Sequence, residues 1–328
     1  MADLPPRPDL AQLRRRAKEL LRAAEGGDPG ARARIAAVSR RQTLADAQLA
    51  LAREYGFASW PKLKTEVERR EILTRRDLPR LATLLAGEPE LASTSLEHWC
   101  DHPKGAEPLG YVAMLRFDAE RLGLSGEVTG TGAVARALID AGAPVDGVEG
   151  ASETPLITAA SYGDADVARV LVAAGADLDA RASDDAGGVP GGTALLHAAV
   201  FGMTEVVDVL AGAGARVQGI ETAAAVGNLD GWLTADTPLE ARIRALVMAA
   251  DHERLEVIDE LVAAGTPVDA VDSTYGRHPL RTAAENGRPA SVRRLLELGA
   301  DPNLRDAEGL RPLDLCTNAE VEALLRTD

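Results

Sequence analysis

The chain has 328 residues, is 46% apolar but only 3% aromatic, and carries a formal charge of −15 at neutral pH. Its core must therefore be built from Ala, Leu and Val, which suits closely packed helices. No apolar run is long enough to span a bilayer, Met1–Leu20 is charged throughout with no secretory h-region, and two cysteines are too few for a disulfide framework; a soluble, cytoplasmic protein is expected.

Residues 1–9 hold three prolines and read as a disordered arm. Leu10, Leu13, Ala17, Leu20 and Leu21 then recur at helical spacing, with Arg14, Arg15, Arg16, Lys18 and Arg22 on the polar side. Gly26-Gly27 ends this helix and Asp28-Pro29 opens the next. A third helix is predicted over Leu44–Tyr55, stopping at Gly56, and Ser59 caps a fourth that is rich in Lys, Glu and Arg. Tyr55, Phe57 and Trp60 are three of the ten aromatics and are expected to lock the third helix onto the fourth. Between Lys62 and Thr74 there is no Gly, Pro or Ser, so the fourth helix runs on without a linker. Asp77–Ala86 reads as the outer helix of a degenerate first repeat, and Glu107–Leu115 opens another.

From there a phrase recurs. It is clearest at Thr154–Ala180, Thr193–Val217 and His278–Asn303. Each copy opens on a TPL-like triplet, and an alanine pair follows. A glycine stands eight residues after the triplet's middle residue, then a second apolar helix ends at another glycine. Pro155, Ala194 and Pro279 each precede the closing glycine (Gly175, Gly214, Gly299) by 20 residues. Gly219–Leu233 is a shortened copy. Thr237-Pro238-Leu239-Glu240 imitates the triplet but lies 27 residues before Gly265, so Arg244–Glu253 holds the true inner helix. Thr237 and Glu240 are expected to form a capping box that lengthens it. Glu253 occupies the place of the usual glycine, which predicts a strained turn there. Insertions fall near 116–132, 183–192 and 234–243, and residues 310–328 read as a C-terminal cap.

A period near 33 with TPLH, an alanine pair and LLxxGAD resembles the ankyrin repeat. The resemblance implies an all-α fold class: an ankyrin-repeat solenoid of helix–turn–helix repeats spanning 77–328, preceded by an N-terminal helical module at 10–76. Leu13–Lys64, most sharply AREYGFASWPKL (Ala52–Leu63), resembles a short helical module found in front of ankyrin arrays in bacterial proteins. His197 stands at the TPLH histidine position, where the family's residue bonds backbone between repeats. The resemblance also places partner contacts at finger tips and at the two residues between the alanine pair and the glycine. Here these give Ser161, Tyr162, Val200, Phe201, Asp251, His252, Glu285 and Asn286, with Tyr275 and Arg277 on a finger. Asp184 and Asp185 occupy another finger, and Ala225-Val226 the shortened copy. Tyr162, Val200 and Phe201 form an apolar centre with acidic flanks, as a protein interface requires.

Residues 1–76 carry 17 Lys/Arg against 10 Asp/Glu, and 77–328 carry 19 against 41. A basic head complementing an acidic array accounts for this division, and the array repels phosphate, so nucleic acid is not the expected partner. The leading reading is a monomeric, non-enzymatic interaction scaffold or regulator binding a protein partner on the concave face, with no cofactor and no metal. Two alternatives stand beside it. One is an enzyme or small-molecule binder using the inserted loops near His98–His102 and Gly126–Gly132. EHWCDH (Glu97–His102) concentrates His98, Cys100, Asp101 and His102, but its spacing matches no zinc motif. The glycine-rich GEVTGTGA (Gly126–Ala133) follows no predicted strand and lacks a Lys, so it reads as an insertion loop. The other alternative is a regulator whose basic head, through Arg14-Arg15-Arg16 and Arg40-Arg41, contacts nucleic acid or a transcription component.

Overall fold

The computed structural model describes residues 4–96, 107–273, 276–306, 308–316 and 318–326. Every regular element among them is a helix, and strand geometry is confined to isolated bridges such as Arg181 with Thr193. The chain divides into two compact units, 1–149 and 150–328.

The first unit holds α1 (Leu10–Glu25), α2 (Pro29–Ala36), α3 (Leu44–Glu54), α4 (Trp60–Arg75), α5 (Leu78–Gly87), α6 (Pro108–Ala113) and α7 (Thr131–Asp140). Side chains close the first turns. Asp9 accepts from the Gln12 amide at 2.8 Å, Asp28 from Ala31 at 2.5 Å, and Thr43 with Asp46 forms a reciprocal box. Each satisfies an amide the helix leaves orphaned and contributes about 1 kcal/mol. Leu13, Ala17, Leu51, Ala52, Tyr55, Phe57, Leu63 and Val67 form one core, with Trp60 packed at its edge. Residues 4–9 depart from the loose arm read from their prolines. Leu4 is buried in this same core, and burying a leucine contributes roughly 1.5–3 kcal/mol against the entropy of ordering the segment.

The polar sequence of α4 conceals a buried charge cluster. Glu66, Arg69 and Arg70 are 6%, 2% and 1% exposed. Glu66 receives Arg69 Nη2 at 2.5 Å and Arg70 Nε at 2.8 Å. Arg69 Nη1 also donates to the carbonyls of Thr94 at 2.7 Å and Leu91 at 3.2 Å. The guanidinium thus ties α4 to the 3-10 turn Pro89–Ala92 and to the residues just after it. Nearby, Thr74 Oγ1 and Tyr111 Oη lie 2.6 Å apart, and burial pushes the Tyr111 phenol up to about 12.

The second unit is a stack. Inner helices α8 (Pro155–Tyr162), α10 (Ala194–Val200), α12 (Ile220–Val226), α13 (Leu239–Asp251), α15 (Pro279–Glu285) and α17 (Pro312–Leu315) each pack on the next. Outer helices are α9 (Ala165–Ala173), α11 (Thr204–Gly212), α14 (Leu255–Ala263), α16 (Pro289–Glu297) and α18 (Ala319–Leu325). The alanine pairs at 159–160, 198–199, 249–250 and 283–284 are fully buried, because small side chains let inner helices approach closely. Thr154 and Thr193 cap α8 and α10 by accepting from Ile157 and Leu196. At α15 the imidazole of His278 does this, Nδ1 accepting from Arg281 N at 3.3 Å.

Two irregularities matter. After α12 no outer helix follows. A core of Ile220, Ala223, Leu246, Ile258, Leu280, Leu295 and Leu325 unites α12 with everything after it. The second irregularity is α13, which has 13 residues where α8, α10, α12 and α15 have 7 or 8. The expected capping box is not what lengthens it. Pro238 is the N-cap and no side chain caps the turn. Thr237 Oγ1 instead accepts from Thr234 N and donates to Trp232 O, while Glu240 accepts from the backbone and hydroxyl of Ser273 at 2.8 and 2.5 Å. The neighbouring finger takes the carboxylate the cap needed. At the other end, Glu253 adopts φ +54°, the left-handed turn that glycine makes at Gly163 and Gly202.

Candidate functional site: the ends of the inner helices

The residues singled out from the sequence fall into three groups. Ser161, Tyr162, Val200 and Phe201 come together at the ends of α8 and α10. Ser161 Oγ lies 2.8 Å from His197 Nδ1, which fixes the two helix ends side by side. Tyr162 and Val200 are half-buried, and Phe201 is 39% exposed. The Phe201 ring is tilted 59° to the His197 ring at 6.1 Å. The inserted loop 183–192 curls onto this pair. His197 Nε2 lies 2.9 Å from the Val189 carbonyl. A carbonyl only accepts, so Nε2 carries the proton and Nδ1 takes the Ser161 hydroxyl. His197 does bond backbone, but within this enlarged finger. Burial holds its imidazole below the ordinary range.

Asp251 and His252 are not surface contacts. They are 4% and 1% exposed. His252 Nε2 faces the Ala199 carbonyl at 2.9 Å and Nδ1 faces Thr204 Oγ1 at 3.0 Å. Asp251 accepts from Asn286 Nδ2 at 2.7 Å and lies 3.7 Å from Arg288 Nε. The missing outer helix is the reason: without it, the end of α13 closes directly on the turn between α10 and α11. Arg288 Nη2 reaches the Gly202 carbonyl at 2.6 Å, and Arg254 donates to Asp208 at 2.5 Å and to the Ala225 carbonyl at 2.7 Å.

Glu285 and Asn286 end α15. Glu285 is half-buried and paired with Arg281 at 3.1 Å, while Asn286 is exposed apart from its bond to Asp251. Arg277 is half-buried, its backbone exchanging bonds with buried Asp272 at the neck of its finger. Tyr275 lies outside the described residues, as do His98, Cys100, Asp101 and His102. Gly126–Gly132 leads into α7 through Gly130, with Val128 buried and its carbonyl taking Arg116 Nε at 3.2 Å. No strand precedes this loop among the described residues.

A shallow depression of about 410 Å³ lies at the turn end of α8–α11, lined by Gly163, Gly202, Met203, Glu205, Asp208 and Arg288 among others. Its charges are already used: Glu205 pairs with Arg169, Asp208 with Arg254, and Arg288 with Gly202 and Asp251. Thr204 also lines it, its Oγ1 held 3.0 Å from Nδ1 of the buried His252. No helix among the described residues is long and apolar enough to cross a membrane.

Two family models match parts of the chain. Residues 128–219 match the family model described as ankyrin repeats (3 copies), and residues 261–316 match one described as ankyrin repeats (many copies). The palmitoyltransferase Hip14 of Drosophila melanogaster is 35% identical over 79 residues, which is 24% of this chain and 12% of that protein. A putative ankyrin repeat-containing protein of Treponema pallidum (strain Nichols) is 33% identical over 81 residues, 25% of this chain and 27% of that protein. The chain therefore matches only about an eighth and about a quarter of the length of these relatives. The crystal structure of the human ASB11 ankyrin repeat domain is 22% identical, covering 78% of this chain and 95% of that one, with a TM-score of 0.39. Every regular element among the described residues is a helix, and the stretches 128–219 and 261–316 are similar to ankyrin repeats.

Proposed function

We propose that this chain is a non-enzymatic interaction scaffold or regulator, and that a protein partner docks on the ends of the inner helices around Phe201. The observation that carries the reading is the Phe201 ring, a large aromatic left 39% exposed beside half-buried Tyr162 and Val200 on rigid, fully packed helices. Aromatic anchors of this kind dominate binding energy, and a rigid scaffold loses little entropy in presenting them. Ser161, Glu285 and Asn286 supply a polar rim.

Charge supports the same reading and narrows the partner. Residues 150–328 contain 14 Arg and no Lys against 29 Asp/Glu. Arg169, Arg254, Arg293 and Arg294 are paired with carboxylates of neighbouring repeats along the outer helices. The excess negative charge then steers a partner with a basic face. In this reading residues 10–76 are a helical module covering the first repeat at α5, and the protein acts as a cytoplasmic bacterial adaptor in monomeric form.

The test is affinity capture from the source cell with the full chain and with Phe201→Ala, read by mass spectrometry. The variant should keep its helical circular dichroism and lose the captured partner, consistent with a hot-spot loss of roughly 1–3 kcal/mol. Recovery of the same partner in the same yield by Phe201→Ala would sink the proposal.

A further inference from the structure

The finger at 183–192 is longer than its counterparts and does not project. Its neck is closed by Ala182 N to Gly192 O at 2.9 Å and Gly191 N to Ser183 O at 3.3 Å. Beyond the neck the chain folds back onto α10, where Val189 O meets His197 Nε2. Gly188 lies flat against the aromatic row: a Cβ there would stand 3.1 Å from Phe201 Cζ and 3.5 Å from His197 Cε1. A Cβ on Gly192 would stand 3.0 Å from His197 Cδ2. Backbone thus presses directly on two rings, and the φ of +75° at Gly188 and the Val189 carbonyl 2.9 Å from a Cβ on Gly192 add to the need for glycine there. Gly187, one residue away, meets nothing within 4 Å.

We infer that residues 183–192 form a clasp over the docking row, closed in the free protein and displaced when a partner takes the face of Phe201. The inference rests on the docking reading above and adds its regulation. In the closed state Gly188 covers part of the ring that a partner's apolar side chain needs. What holds the finger down includes the His197–Val189 bond and the contacts of Gly188 with the Phe201 and His197 rings, a small latch that can yield to a partner. A chain with four glycines in ten residues can hinge at its neck without disturbing α10. Binding strength is then set by how often the clasp stands open, because apparent affinity falls in proportion to the competent fraction.

Two variants of the full chain open the clasp by different means. Gly188→Ala places a methyl against Phe201. Deletion of residues 184–189 removes the clasp while keeping its neck. Gly187→Ala controls for an added methyl in the finger, and the deletion controls for the backbone strain that alanine meets at the φ of +75° of Gly188. The probes are hydrogen–deuterium exchange of residues 184–192 and fluorescence of the apolar dye 1-anilinonaphthalene-8-sulfonate. Gly188→Ala should speed exchange across the finger, and both opening variants should raise dye fluorescence. Adding Phe201→Ala should abolish the rise, and Gly187→Ala should match wild type. If a partner has been captured, an open population of ~1–10% predicts roughly 10- to 100-fold tighter binding by the deletion variant. Dye fluorescence at the wild-type level in both opening variants would overturn the clasp and leave the docking reading intact. Partner binding unchanged by Phe201→Ala would remove the docking reading, whatever the dye reports.

Discussion

Glu253 offers the sharpest test of how this stack balances backbone strain against capping. Its φ of +54° is a conformation that costs a residue with a Cβ roughly 1–2 kcal/mol. The same side chain reaches into the next repeat, where its Oε1 accepts from Ala290 N at 2.9 Å. The residue preceding α16, Arg288, makes no side-chain cap of its own. Glu253 is therefore a cap supplied in trans, worth about 0.5–2 kcal/mol as a hydrogen bond and a further ~0.3–1 kcal/mol as a negative charge at a helix N-terminus. Glu253→Ala keeps the strained backbone and loses the cap, so it should destabilise the stack by about 1–2 kcal/mol. Glu253→Gly loses the same cap but relieves roughly 1 kcal/mol of strain, and should lie near wild type. The assay is urea unfolding of the full chain by far-ultraviolet circular dichroism, with exchange of the Ala290 amide as the local readout. Equal unfolding midpoints for the Ala and Gly variants would show that the left-handed backbone costs nothing here. An Ala290 amide protected to the same degree in Glu253→Ala would show that the cap is not made.

Burial holds His197, His252 and His278 below the ordinary imidazole range. The folded chain then favours neutral rings, while the unfolded chain protonates near pH ~6.5. Stability should be full above that pH and be lost as pH falls below it, with a limiting slope of about 1.4 kcal/mol per pH unit for each ring that stays neutral. Protonating Nδ1 of His278 sets a donor against the Arg281 amide, so His278→Thr, which restores the cap used at Thr154 and Thr193, should flatten the acid limb; an unchanged limb refutes this. Glu66→Gln removes the carboxylate shared by two buried guanidinium groups and should cost about 3–5 kcal/mol, seen as a lowered first transition in calorimetry. Deleting residues 1–58 removes α1–α3 and uncovers Leu63 and Val67, so the shortened chain should melt earlier and aggregate. A monomer melting with the full-length protein would make the head an independent module.

The helices were legible because each rests on a local signal. Capping residues, prolines in first turns and alanine pairs mark α8, α10 and α15 in a single pass along the chain. The strain at Glu253 was legible for the same reason, by its departure from a spacing rule. What the sequence hid depends on contacts between distant segments. Glu66, Arg69 and Arg70 at i, i+3 and i+4 look like a solvated face until the carbonyls of residues 91–95 are folded over them. Asp251 and His252 occupy positions that are surface in a regular repeat, and become interior only because a helix is missing some twenty residues earlier. Phe201 reads as an open anchor, yet part of its face is covered by Gly188, a contact that no periodicity encodes.

The helix omitted after α12 has a mechanical consequence. The apolar core from Ile220 to Leu325 is continuous, so α12–α18 form one body. What reaches back from that body to α10 and α11 includes three polar side chains: His252 on Ala199 and Thr204, Arg254 on Asp208, and Arg288 on Gly202. Repeat stacks unfold along their weakest nearest-neighbour interface. This joint is fastened in part by groups whose strength depends on pH and ionic strength rather than by oily contact alone. Under load, or in mild acid with salt, the stack should part at this joint first, α8–α11 separating from α12–α18 as two bodies that each keep their fold. A partner lying across the joint would act as a splint, turning two unfolding events into one.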